Sequence, residues 1–136
     1  MSEANWRLHP QLQSDTAGVG DLALCRLLAI NSADYPWLVL VPRRAGVTEI
    51  ADLGDESAAL MTEIVAVSRA LKALTGCDKL NIAAIGNVVP QLHVHVVGRR
   101  KDDPLWPRPV WGTLLRPGDE GAFTQFIGAT RDRLHL

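Results

Sequence analysis

The apolar positions of the chain fall into runs with two different periods. Asp21 to Ile30 (DLALCRLLAI) is rich in aliphatic residues and gives way to a cluster of turn formers, Asn31-Ser32-Ala33-Asp34, before a second apolar run starts at Trp37. This pattern predicts a hairpin. The second run, Trp37 to Val41, is almost continuously apolar and stops at Pro42, as expected of a strand buried on both faces, after which Arg43 and Arg44 return to solvent. From Asp55 the period changes: Leu60, Ile64, Val67, Leu71 and Leu74 recur at steps of four and three, with Glu63 and Lys72 off the stripe. The spacing predicts an amphipathic helix of about five turns, with Asp55 as N-cap and Gly76 just past its C-terminus.

Two further strands are predicted over Lys79 to Ile85 and Leu92 to Gly98, separated by the bend residues Gly86-Asn87-Val88-Val89-Pro90. A proline-rich, tryptophan-bearing stretch, 101–118, is too irregular for a regular element. A last helix over 119–134 follows, with Phe123, Phe126, Ile127 and Leu134 at helical spacing. Strands, a long helix, strands and a closing helix predict an α+β fold rather than an alternating parallel one. At 136 residues the expectation is one domain, large enough to bury a core without disulfides or a structural metal.

Composition excludes more than it suggests. A hydrophobic fraction of 47% and a charged fraction of 21% are those of a globular chain. The formal net charge of -1 provides no basic field for non-specific nucleic-acid binding, so no nucleic-acid partner is expected. Cys25 and Cys77 lack CxxC spacing, which suits reduced core thiols. No signal-like segment and no run of about 18 apolar residues is present, so a cytoplasmic protein without a membrane partner is expected.

The chemistry concentrates in one segment. In a strand, Gln91, His93 and His95 project to one side while Leu92, Val94 and Val96 project to the other. Two imidazoles at successive same-face positions stand about 6 to 7 Å apart along the strand, close enough to grip one phosphate or one metal ion together. The run Pro90-Gln91-Leu92-His93-Val94-His95-Val96-Val97 resembles the motif of the histidine-triad (HIT) superfamily, with Gln91 where that family has its first histidine. The Asn31 turn, the strand ending at Pro42, the long helix and the Gly86-Asn87 approach fall in the family's order. The resemblance spans about Leu22 to Trp111.

That resemblance implies a HIT-like antiparallel sheet of about four to five strands, carrying one long helix and a C-terminal helix. It also implies a nucleotide phosphohydrolase or nucleotidyl transferase. His93 would attack the α-phosphorus of a dinucleoside polyphosphate or nucleoside phosphoramidate to form a covalent nucleotidyl-histidine, and His95 would bind phosphate oxygens. No metal or other cofactor is required, and a homodimer is expected by resemblance. An imidazole with an ordinary pKa of about 6.5 is largely neutral at pH 7 and can act as a nucleophile without a separate base. Gln91 can orient a neighbour through its amide but cannot relay a proton.

Around this centre, Asn31 serves either as a ribose ligand or as a turn residue, and Asn87 as a phosphate contact or part of the bend. Arg99 is the basic candidate for phosphate, against the reading of a solvated charge at a strand end. Trp106 and Trp111 either meet the base or pack beneath a loop. Trp37 reads as core, and His9 and His135 as peripheral. Two other functions compete: a nucleotide sensor without turnover, favoured by Gln91, and a His-x-His metal site, which needs further ligands.

Overall fold

The computed structural model describes residues 3–136. Its centre is a five-stranded, wholly antiparallel sheet in the order β1-β2-β3-β5-β4. A short helix α1 (Pro10–Asp15) precedes β1 (Ala17–Asp21), β2 (Cys25–Ala29) and β3 (Trp37–Pro42). The long helix α2 (Ser57–Thr75) then leads to β4 (Lys79–Ala83) and β5 (Val94–Arg99), and α3 (Glu120–Leu134) closes the chain. This is the expected α+β architecture, with its long helix and C-terminal helix in place.

Antiparallel pairing of β2 with β3 confirms the hairpin, and all six residues of β3 are buried. The aliphatic run at Asp21–Ile30 is not one strand, however. It breaks at Leu22-Ala23-Leu24, and its first residue ends β1. β1 itself reads Ala-Gly-Val-Gly-Asp, whose glycines hide any alternation, and α1 offers only Leu12 as a buried anchor. Both escaped the pattern for that reason. The long helix starts at Ser57, not after an Asp55 cap, because a 3-10 turn over Ile50–Glu56 with Gly54 at φ 57 precedes it. Gly76 does end the helix in the left-handed conformation, at φ 64, where a side chain would be strained.

The sheet is covered on both faces. Leu27, Leu38, Leu40, Val94 and Val96 pack against Leu60, Ile64, Val67 and Leu71 of α2. On the opposite face Leu28, Trp37, Val39, Val41 and Val97 are covered by Leu12 of α1, with Tyr35 and Val110 from loops. Gly98 is required where the chain crosses: a Cβ there would lie 2.8 Å from the Pro36 ring. Cys25 and Cys77 are free, buried thiols. Among the described residues, no helix is long and apolar enough to cross a membrane.

One polar pair locks the β1–β2 turn. Glu63, which helical spacing leaves off the apolar stripe, is only 9% exposed and accepts the Leu24 and Cys25 amides at 2.8 Å each. From the other side the Arg43 guanidinium donates to the carbonyls of Leu22, Ala23 and Cys25. Turn amides and carbonyls that no strand can satisfy are thereby paired. Glu63→Ala leaves both amides without a partner and should cost about 2 to 4 kcal/mol in urea unfolding. An unchanged midpoint would mean that water replaces the carboxylate at little cost.

Candidate functional site

β5 alternates as expected. Val94 and Val96 enter the α2 core, while His95 lies on the face shared with Trp37, Val39 and Val97. Gln91, Leu92 and His93 precede the regular strand, which begins at Val94. Leu92 is nevertheless tied in by its amide, which donates to Val47 O at 3.0 Å. The two imidazoles stand with ring centroids 5.0 Å apart and nearly perpendicular, at 73°.

Each ring is held by a partner of fixed hydrogen-bond character. Nδ1 of His93 lies 2.7 Å from the backbone carbonyl oxygen of Gln91. A carbonyl can only accept, so Nδ1 carries the hydrogen and the neutral ring keeps its lone pair on Nε2. Nδ1 of His95 instead accepts from the indole Nε1–H of Trp37 at 3.0 Å. Trp37 and Trp111 meet the His95 ring edge-on at 5.7 Å each. Burial in this aromatic setting, and secondarily the charge of a protonated His93, hold the His95 pKa down at about 4.

Although only 7% exposed, His93 lines a cavity of about 340 Å³ with Thr48, Glu49, Ile50, Ala84 and Gly86. Asn87 is exposed and directly follows Gly86, whose φ of 68 makes the bend. The Gln91 side chain faces another task. Its Oε1 accepts from the His9 amide at 2.9 Å, and its Nε2 donates to Arg7 O at 2.8 Å, clipping the N-terminal segment to the entry of β5. His9 caps α1 through Nδ1, which accepts from the Gln11 amide.

The remaining candidates gather at the other end of the sheet, where Arg99 stands about 20 Å from His93 by strand rise. Asn31 forms a two-way amide contact with Gly118, donating to its carbonyl at 3.3 Å and accepting from its N–H at 3.0 Å. Arg99 is 1% exposed, paired with Asp103 at 2.7 Å and with Asn81 at 2.9 Å, and lies against the Tyr35 and Trp106 rings. The structure thus brings His93, His95 and the Gly86–Asn87 bend together, and sets Asn31, Arg99 and Trp106 apart from them. Trp37, read from the sequence as core, is buried and also bonds to His95. Only the β3–β5 register could have revealed this. Among the described residues, no group of three or more His, Cys, Asp or Glu side chains is placed to hold a metal ion.

The HIT domain family model matches residues 11–102, more than half of the chain. The chain belongs to the HIT family. Solved histidine-triad proteins superpose over nearly the whole length. One from Bradyrhizobium japonicum is 54% identical with a TM-score of 0.91, covering 95% of this chain and 98% of that one. Another from Sinorhizobium meliloti is 39% identical with a TM-score of 0.92, covering 97% and 99%. An adenylylsulfatase HINT3 of Arabidopsis thaliana is 28% identical over 91 residues, which are 63% of this chain but only 46% of that relative's length.

The depressed His95 value sets a pH dependence. Its folded pKa of about 4 lies below the unfolded value of about 6.5, so its contribution is complete above pH 6.5 and is lost as pH falls towards 4. The loss amounts to roughly 3 kcal/mol. Urea unfolding at pH 7.5 and pH 4.5 should show a steeper loss for the native HIT protein than for His95→Asn. Equal losses would contradict a buried, neutral ring.

Proposed function

We propose that this HIT protein is a nucleotide hydrolase or nucleotidyl transferase, acting on an α-phosphate through a covalent nucleotidyl-His93. The observation that carries this reading is the His93 Nδ1–H to Gln91 carbonyl bond, which leaves a bare Nε2 on a ring that lines a cavity. In the first step the Nε2 lone pair forms a bond to phosphorus, and the leaving group departs with the electrons of its own bond to phosphorus. In the second step water attacks the same phosphorus, the N–P bond returns its electrons to Nε2, and the water proton passes to solvent. His95 Nε2–H donates to a phosphoryl oxygen as charge develops there.

The candidate substrates are dinucleoside polyphosphates and nucleoside phosphoramidates, to which the name of the plant relative adds adenylyl sulfate. Asn87, beside the cavity, is the proposed phosphate contact. Asn31 and Trp106 are assigned to the distal part of an extended ligand, and Arg99 to seating Trp106. Gln91 has an indirect role: its backbone holds His93 while its side chain holds residues 7–9. Residues 1–136 are taken as one HIT-type unit working in the cytoplasm without a metal.

A sensor that binds nucleotide without turnover is the second reading, favoured by Gln91, whose amide is already engaged and relays no proton. Hydrolysis of diadenosine polyphosphate, adenylyl sulfate and adenosine phosphoramidate separates the two. The native chain should turn over at least one, and His93→Ala should lose on the order of a thousandfold or more. Tight nucleotide binding with no native turnover would establish the sensor instead.

A homodimer follows from the same reading, because β4 is an edge strand with Ile82 exposed, and Met61 and Val65 of α2 are exposed as well. Sedimentation should give twice the chain mass at micromolar concentration. A single-chain mass would contradict pairing through this edge.

A further inference from the structure

An indole N–H can donate a hydrogen bond but cannot accept one. The bond from Trp37 Nε1 to His95 Nδ1 therefore requires a bare Nδ1, and the neutral ring must carry its hydrogen on Nε2. Trp37 is 4% exposed and His95 9%, with Trp111 on a further edge of the imidazole, so little water is at hand to replace this bond. Protonating Nδ1 would set two N–H groups against each other in a dry site. Removing the Nε2 proton would create an imidazolate, which lies outside the physiological range.

The neighbours supply no alternative proton. The rings facing His95 are Trp37 from β3, Trp111 from the C-terminal stretch and His93 from its own segment, and of these only His93 is an ionisable side chain. His93 commits its Nδ1–H to the Gln91 carbonyl, and the Gln91 amide is bonded to Arg7 and His9. Among the described residues, no carboxylate, lysine or arginine is hydrogen-bonded to either imidazole.

We infer that Trp37 is a positioning residue that keeps His95 a neutral hydrogen-bond donor, and that the site is thereby restricted to nucleotidyl groups joined to a weakly basic oxyanion such as sulfate, phosphate or polyphosphate. The inference rests on His93 as the nucleophile. With such a substrate the His93 Nε2 lone pair forms the N–P bond, the P–O bond breaks, and the oxygen keeps the electron pair. The departing anion is stable unprotonated and accepts a hydrogen bond from His95 Nε2–H, so no proton moves. An amine leaving group differs. It needs a proton as the P–N bond breaks, and neither ring can deliver one; the Glu49 carboxylate that lines the cavity is engaged by the Asp52 amide. Burial of His95 acts in the same direction, since it also disfavours the charged ring.

The test uses the full chain in two measurements. The imidazole ¹⁵N shifts at pH 7 should identify His95 as the Nε2–H tautomer, and in Trp37→Phe they should become a tautomer mixture. Relative kcat/KM for diadenosine polyphosphate or adenylyl sulfate should exceed that for adenosine phosphoramidate by about a hundredfold, the scale of a missing general acid. In Trp37→Phe that ratio should shrink about tenfold or more through a gain on the phosphoramidate, with an acid limb appearing in its pH profile. Both native measurements decide the matter even if this variant fails to fold. Native hydrolysis of the phosphoramidate as fast as the anhydride, or a His95 spectrum with Nδ1–H or a charged ring, overturns the inference while leaving the nucleophile intact. No turnover of any of these substrates overturns the nucleotidyl-transfer reading and the substrate restriction together, and the spectrum then decides whether the Trp37 lock exists.

Discussion

The pairing of β3 with β5 is the constraint on which the site depends. It sets Val39 opposite His95 and Trp37 opposite Val97, so that the indole lies diagonally across from the imidazole on one face. A slip of one residue would turn His95 into the α2 core and Val94 towards the tryptophans, exchanging a hydrogen-bonded ring for a buried polar group without a partner. The alternation of β5 therefore fixes register and chemistry together. Apolar residues at 94 and 96 bury against α2 only when the imidazole at 95 meets Trp37.

The rest of the fold holds that register from both sides. On one face α2 packs across β2, β3 and β5, and Glu63 reaches from it to fasten the turn that starts β2. On the other, the N-terminal segment is drawn over the sheet and pinned by the Gln91 amide, while the C-terminal stretch brings Trp111 against Trp37 and His95. Gln91 thus carries a structural duty. Its backbone oxygen orients His93, which any residue type could do, and its side chain uses both a donor and an acceptor on the segment at residues 7–9. A histidine there would have to satisfy the same two backbone groups with a ring of different shape.

Much of this was legible in residue order, and the exceptions have physical causes. The alternation at 92–96, the continuous apolar strand ending at Pro42 and the 3.6-residue stripe of α2 are strong local signals, and each stands where its pattern points. β1 and α1 were silent because glycines and a single buried leucine carry no period. Helical spacing leaves Glu63 off the apolar stripe and says nothing of its burial, because it measures apolarity, not hydrogen-bond demand from a distant turn. The two histidines were visible as a pair because the alternation of 91–97 sets them on one face. Trp37 was not, since its partner lies 58 positions away and only strand register joins them. Arg99 shows the opposite failure: a charge at a strand end reads as solvated or ligand-facing, whereas here an aspartate four residues on and two aromatic rings enclose it.

If Nδ1 of His93 is committed to a backbone carbonyl, its chemistry belongs to Nε2 alone. The direct test is to quench the protein during turnover, digest it, and locate the nucleotidyl group by mass and by phosphorus–nitrogen coupling. The account predicts a single adduct on His93, bonded through Nε2. An adduct through Nδ1, or on any other residue, would contradict it.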